Sequence, residues 1–382
     1  MIKFIKKHVF MTRNEALVYF AMLSLIFTVM LFIPFLLIIL YNAAYIPTFK
    51  NSITIKLHNN YKMKYNDSFG VGNNEKLENF KATLKEIDRL NAIESSKVFG
   101  LTKFSHMSKE EFAQQMLLAD VDVSGLSEIK VIQCGTAVWD LWSTRRQFLY
   151  YLNTFIRHHY YHNGPISAHF DWRESGKVGP ILDQKRCNAC WAFSVVGLME
   201  SMLAIKWKQR VIELSIQELV DCSVYNKKCK GGNTELAMMY LCLYRLAIVP
   251  ASQYPLTLHD DERCLVNANV TGVRLKNYTI ETNVPEYVIP RLIANHGPVM
   301  VMITANIWQY YTGGIINRAC KRNDEGYQHV VQLVGYDMNG PIPYYIVRNS
   351  WGTDFGEDGY VRLAMNEDAC GITRMVAYLH VW

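Results

Sequence analysis

Between positions 73 and 92 the apolar residues Leu77, Phe80, Leu84, Ile87 and Leu90 recur at helical spacing with Glu and Lys between them, which predicts an amphipathic helix. A second helix is expected over 190–207. There Phe193, Val196, Met199, Met202, Leu203 and Ile205 form a broad apolar face, no proline interrupts it, and Cys190 falls in the first turn. The stretch 235–247 has the same character and contains Cys242. Later the pattern shortens to runs of β-formers. Val299-Met300-Val301-Met302-Ile303 and Tyr344-Tyr345-Ile346-Val347 predict strands, and Val330, Val331, Leu333 and Val334 place His329 in another. Helices come first and strands later, the pattern of an α+β fold.

One segment is apolar without periodicity. Residues 16–41 contain no charged side chain, and a bilayer-spanning helix needs about 20 apolar residues. A cleaved signal has an apolar core of only about 7–15. Lys3, Lys6, Lys7 and Arg13 precede the segment and favour keeping that end cytosolic. The expectation is a cytosolic flank at 1–15, a transmembrane signal anchor at 16–41, and a lumenal remainder. A long cleaved signal ending near Ala43-Ala44 is the competing reading. Either one leads into the secretory route.

The chain has 382 residues, 50% hydrophobic and 13% aromatic, enough for a sizeable core. Its net charge of +6 is not concentrated in a dense basic run beyond the N-terminal flank, so nucleic acid is not an expected partner. Nine cysteines fit an oxidising lumen. Setting one aside as a nucleophile leaves eight, whose pairing spacing alone does not give. Sequons at Asn66, Asn269 and Asn277 are candidate glycosylation sites in that compartment. No cofactor is implied. A zinc ribbon needs a second close cysteine pair, and Cys222 and Cys229 are too far apart for one, so no metal is expected.

The chemistry-bearing positions are Gln184, Cys190, His329 and Asn349, in the contexts Gln184-Lys185-Arg186-Cys187-Asn188-Ala189-Cys190-Trp191-Ala192-Phe193-Ser194, Tyr327-Gln328-His329-Val330-Val331 and Asn349-Ser350-Trp351-Gly352. A cysteine followed at long range by a histidine and an asparagine has the parts of a thiol hydrolase. A helix N-terminus and an imidazolium each lower a thiol pKa. His329 is the expected partner base. Asn349 is expected to orient its ring without adding charge, and Trp351 to shield that bond. Gln184 and the backbone N–H of Cys190 are the expected oxyanion donors.

From Phe170 to Trp382 the sequence resembles the papain-like cysteine proteases. Glu213-Leu214-Ser215-Ile216-Gln217-Glu218-Leu219-Val220-Asp221-Cys222 and Cys229-Lys230-Gly231-Gly232 are further motifs of that family. Within it, Phe193–Gly197, Trp308–Ile316 and Ile346–Gly352 resemble the cathepsin O branch most. Upstream, Phe80, Thr83, Ile87 and Asn91, and then the run 100–112, resemble the helical pro-segment motifs of papain-like zymogens, with Thr83, Thr102 and His106 as departures. The resemblance implies a helical pro-segment and linker over 42–164 and a peptidase domain over 165–382 with the papain-like two-lobed α+β fold, a helical lobe around Cys190 and a β-barrel lobe carrying His329 and Asn349. It places cleavage near Pro165 to Ala168, since Phe170-Asp171-Trp172-Arg173 resembles a mature N-terminus. The aromatic-rich stretch 120–164 is expected to be an extended pro-segment or a linker in the cleft.

The resemblance further implies disulfides Cys187–Cys229, Cys222–Cys264 and Cys320–Cys370. It leaves Cys242 as a free buried thiol and Cys134 without an assigned partner. Gly231 and Gly232 would line the strand that pairs with substrate. Thr234, Met302, Val330 and Met375 would form the pocket for the second residue before the cleaved bond, which should therefore be hydrophobic. The expected partners are peptide and protein substrates and the chain's own pro-segment, in a lysosomal or other secretory-route lumen.

Three positions depart from the family pattern: Asn188 and Lys185 each stand where glycine is usual, and Phe355 where a second tryptophan is usual. Asparagine is the residue other than glycine that best tolerates positive φ. These departures keep two other readings open. One is a catalytically weak pseudoprotease that binds peptides or inhibitors. The other is a thiol oxidoreductase using Cys187 and Cys190.

Overall fold

The computed structural model describes residues 28–30, 33–35, 52–65, 73–94, 96–118, 129–134, 165–244, 246–259, 263–266, 271–322, 328–365 and 367–382. Two compact units divide the chain, Met1–Leu77 and Glu78–Trp382. In the first, residues 28–30, 33–35 and 52–64 are helical. The expected membrane span at 16–41 lies almost wholly outside the described residues. Among the described residues no helix is long and apolar enough to cross a membrane.

Helix α1 spans Asn73–Ile93, as the periodicity predicts. In the second unit Phe80, Ile87 and Leu90 are buried. Asn91 ends this helix usefully: its side-chain oxygen accepts from the N–H groups of Val98 and Phe99, both at 3.0 Å, and its amide donates to Phe99 O. One side chain thus turns the chain from helix into the following loop. Helix α2, Lys109–Met116, is capped by Ser108, whose hydroxyl accepts from Glu111 N at 3.0 Å.

The first lobe is built on helix α3, Cys190–Lys206. It is buried along nearly its whole length rather than on one face, as a helix apolar on all sides must be. Around it pack α4 (Ile216–Cys222) and α5 (Thr234–Leu243), capped by Ser215 and Asn233.

The second lobe is a largely antiparallel sheet. Its strands are β1 (Ile129–Gln133), β2 (His169–Asp171), β3 (Ala247–Ile248), β4 (Val273–Thr282), β5 (Val299–Thr304), β6 (Ile315–Ile316), β7 (Gln328–Asp337), β8 (Tyr344–Arg348), β9 (Tyr360–Ala364) and β10 (Met375–Val381). The order is β1-β4-β10-β5-β7-β8-β9-β6, with β2 on β7 and β3 on β4. Among the described residues only the β6–β9 pair is parallel. Helix α6, Ile289–Asn295, covers one side of β7.

Buried residues fall into two clusters. One fills the strand lobe and takes in Phe99, Phe104 and Phe112 from the N-terminal segment. The other surrounds α3 and reaches Met300, Met302, Val330 and Met375 on the strands. Cys190 and His329 stand where the two lobes face each other.

Four disulfides cross-link the fold. Cys187–Cys229, Cys222–Cys264 and Cys320–Cys370 are present. Cys242 is not a free thiol: it is bonded to Cys134. Helix α5 does bury Cys242, as its apolar pattern requires, but strand β1 returns alongside α5 and β4 and delivers Cys134 to it. Sequence spacing carries no trace of that long-range return.

Candidate active site

Cys190 opens α3 on the flank of a helix cap, Ala189, that offers no side-chain hydrogen bond. It is fully buried and is the one free cysteine of the chain. Burial pushes its thiol up to about 12, against the lowering effect of the backbone groups of Val330, Trp191 and Cys190 itself. Ser194, one turn further along α3, donates its hydroxyl to Val330 O at 3.0 Å, and Gln332 Nε2 donates to Ser194 O at 2.8 Å. The helix is therefore stitched to β7 at Val330 and Gln332.

His329 lies in β7, where Met302 and Ile303 of β5 pair with Val330 and His329. Its Nε2 is 2.7 Å from Asn349 Oδ1. Asn349 also accepts from Ser350 N at 2.8 Å through that oxygen. The Ser350 N–H identifies that atom as the amide oxygen, and an amide oxygen only accepts. Nε2 must then carry the hydrogen, which leaves Nδ1 as the lone-pair nitrogen of the neutral ring. That Nδ1 is buried and has no hydrogen-bond partner among the described residues. Trp351 stacks on the ring at 4.7 Å between centroids and 21° between planes, and Trp308 meets it edge-on at 6.4 Å. Enclosure lowers the imidazole pKa to about 4, with the Asn349 bond acting in the opposite direction.

Gln184 is completely buried. Its Oε1 accepts from Ser350 Oγ at 2.6 Å, and its backbone N donates to Ser350 O at 2.8 Å. Both contacts turn its amide nitrogen outward, where Nε2 donates to Met116 O at 3.4 Å.

Met116 belongs to the N-terminal segment, and that segment runs directly across the site. Leu118 exchanges two backbone hydrogen bonds with Gln328, at 2.7 and 3.0 Å, and joins the buried cluster containing Met302, Val330 and Met375. Asn188 Nδ2 donates to Gln114 O at 2.7 Å. Farther out, Gln309 Nε2 donates to the carbonyls of Phe104 and Met107, both at 3.1 Å, and Lys103 Nζ reaches Trp351 O, Asp183 and Asp354. Phe104 and Phe112 stand edge-on to Trp351 at 5.5 and 5.4 Å. Peptide-like backbone in the groove, with apolar rings clamped outside it, is how a chain blocks its own site.

The other expected positions fall nearby. Gly231 has φ 106°, and a Cβ there would meet Leu118 Cδ2 at 3.5 Å. At Gly232 a Cβ would lie 2.7 Å from the Trp191 ring, so glycine is required there by packing. Thr234, Met302, Val330 and Met375 are all buried. Of the departures from pattern, Lys185 and not Asn188 takes up positive φ, at 50°. Asn188 instead spends its amide on the blocking segment. Phe355 fills a buried slot 4.8 Å from Trp351, edge to face. The Cys187–Cys229 bond removes the Cys187–Cys190 redox pair from consideration in this state. Asn66 and Asn269 lie outside the described residues, and Asn277 sits half-buried in β4. No group of three or more His, Cys, Asp or Glu residues suited to a metal occurs among the described residues. Lys103 and Gln309, which anchor the blocking segment, were not singled out by sequence; each is a lone polar residue whose partner is remote in the chain.

Residues 166–380 match the papain family cysteine protease model, and residues 58–112 match the cathepsin propeptide inhibitor domain. The chain belongs to the papain family of cysteine proteases and carries its zymogen-type propeptide. It is 36% identical to cathepsin O of Homo sapiens over 220 residues, 57% of this chain and 68% of that protein. It is 34% identical to the viral cathepsin of Orgyia pseudotsugata multicapsid polyhedrosis virus over 317 residues, 81% of this chain and 86% of the relative. Among solved structures, digestive procathepsin L 3 of Tenebrio molitor larval midgut superposes with a TM-score of 0.65 at 26% identity, covering 86% of this chain and 99% of that one.

Proposed function

We propose that the chain is the proenzyme of a cysteine endopeptidase in which Cys190 is the nucleophile and His329 its base. The observation that carries this reading is the hold of Asn349 on His329: Asn349 Oδ1 lies 2.7 Å from Nε2, and Nδ1 is buried with no hydrogen-bond partner among the described residues. Once the blocking segment leaves, water and a charged partner stabilise a thiolate–imidazolium pair, the form in which a thiol attacks well. The thiolate adds to the scissile carbonyl. Gln184 Nε2 and the Cys190 N–H receive the oxyanion, His329 protonates the leaving amine, and water hydrolyses the thioester.

Gly231 lets an extended peptide approach closely, and Thr234, Met302, Val330 and Met375 accept an apolar side chain two residues before the cut. Four disulfides suit an oxidising lumen, in keeping with a lysosomal or secretory-route enzyme. The uncharged segment 16–41 would deliver the chain there.

The test is acid activation followed by hydrolysis of a fluorogenic peptide with leucine at the second position. Cys190→Ser is expected to abolish turnover, and a thiol-directed epoxide to block the wild type in a one-to-one ratio. A folded, processed protein that neither cleaves nor takes up the epoxide is instead a pseudoprotease.

A further inference from the structure

Residues 129–134 belong to neither matched region: the propeptide match ends at 112 and the protease match begins at 166. They nevertheless form part of the catalytic sheet. β1 pairs antiparallel with β4 from Ile129↔Glu281 to Gln133↔Asn277, and Cys134 N donates to Lys276 O at 3.0 Å. Lys130 makes an ion pair with Glu235 at the start of α5. Ile132 packs on the cluster that holds Leu118, Met302, Val330 and Met375. Cys134 is then bonded to Cys242 of α5, and each is only 5% exposed. Without β1, the backbone of β4 that it covers would be an open sheet edge.

We propose that β1 is a permanent part of the catalytic unit, held by the Cys134–Cys242 disulfide after the pro-region is cut, so that the processed protease is a disulfide-linked two-chain molecule. The proposal rests on the zymogen reading above. Cleavage anywhere between Cys134 and Phe170 leaves strand and catalytic domain covalently joined. It also leaves the inhibitory stretch through Gln114 and Leu118 attached to its own target. Tethering of this kind keeps a displaced segment at an effective concentration on the order of millimolar. A downstream cut alone therefore does not free the site; the chain must also be severed between Leu118 and Ile129.

Two arms test this on the full chain. In the first, an added trypsin-like protease cuts at Arg145, Arg146 or Arg157, which lie between Cys134 and Phe170, and intact mass is read in denaturant with and without reductant. The fragment bearing Cys134 should stay with the catalytic chain until reductant is added, and Cys134→Ser should release it at once. This arm does not depend on the chain's own activity, so it stands apart from failure of the protease reading. In the second, acid-processed enzyme is mapped the same way, and a light chain containing 129–133 should be found. Recovery of a catalytic chain alone without reductant, or alkylation of Cys242 in denatured, unreduced protein, overturns the proposal. If Cys134→Ser fails to fold, the disulfide-linked peptides of the wild type decide the first arm.

Discussion

The side-chain amide of Gln184 donates to the carbonyl oxygen of Met116 at 3.4 Å while Ser350 holds its other end at 2.6 Å. A donor fixed from behind and aimed at a carbonyl is what the proposed oxyanion role requires, and here the pro-segment supplies the carbonyl. Gln184 is buried and bonded to Ser350, so kinetics must be read on the folded variant.

Gln184→Ala is accordingly expected to lower kcat of the activated enzyme by about 10²–10³ with little change in KM, the signature of a lost oxyanion donor. Steady-state kinetics on the activated enzyme checks it. A change confined to KM would remove Gln184 from that role.

Acid should open the closed form through His329. Its pKa is about 4 when covered and returns toward the ordinary value of about 6.5 when solvated. The open form therefore binds a proton first, and the closed form loses stability relative to it as pH falls from 6.5 to 4, by at most about 3 kcal/mol. Glu86 does not share in this. Its hydrogen bonds to Arg89 and Lys109 lower it to about 2, so its stabilisation is present above the ordinary carboxylate range and is lost only as pH falls toward 2. Amide protection factors of residues 99–118 in the Cys190→Ser protein, corrected for the intrinsic pH dependence of exchange, should fall between pH 6.5 and 4, and His329→Gln in that background should flatten the response.

The catalytic lobe should meanwhile gain from the same acidification. Burial raises Glu200 and Glu218 to about 7. A carboxyl whose folded pKa lies above its unfolded value contributes stability that is present below the unfolded pKa and lost as pH rises through 7. Thermal unfolding of the Cys190→Ser protein should therefore show a higher midpoint at pH 5 than at pH 7.5. Glu200→Gln, which keeps an acceptor for Leu214 N, should narrow the difference.

The parts of this molecule that sequence reveals are those with local causes. The spacing of Phe80, Ile87 and Leu90 gives α1, the all-round apolar run after Cys190 gives α3, and β-branched runs give β5 and β8. Gln184, Cys190, His329 and Asn349 were legible because each sits in a dense local motif. What escaped depended on distant returns of the chain. Cys242 looked like a core thiol because nothing nearby announces Cys134. Asn188 looked like a strained-turn substitute for glycine, yet its φ is ordinary and its amide serves Gln114. Lys185 bears the positive φ instead, which a lysine in a basic loop gives no reason to expect.

Trp351 links the blocking segment to the site. Phe104 and Phe112 stand against one part of its ring system and His329 stacks on it. Removing one of these buried rings costs about 3–5 kcal/mol at a core position. Phe112→Ala should thus shift acid activation to higher pH and raise epoxide labelling of Cys190 at pH 6.5 at least tenfold. Unchanged labelling would mean that the clamp does not hold the segment closed.

Leu118 is 4% exposed and belongs to the same buried cluster as Met302, Val330 and Met375, which the proposed function assigns to the pocket for the second residue before the cut. In the pocket proposed above from Thr234, Met302, Val330 and Met375, the methionines are flexible and the valine is stiff, so the valine sets the limit on size. Leucine at the second position before the cut should be preferred to phenylalanine. Val330→Ala should reverse the order, because a difference of one or two methylene-sized groups in a hydrophobic pocket changes kcat/KM by roughly 10–200-fold. The ratio of kcat/KM for paired leucine and phenylalanine peptides reads this directly. A ratio that does not move would place the side chain of the bound peptide elsewhere, and with it the register in which Leu118 stands for substrate.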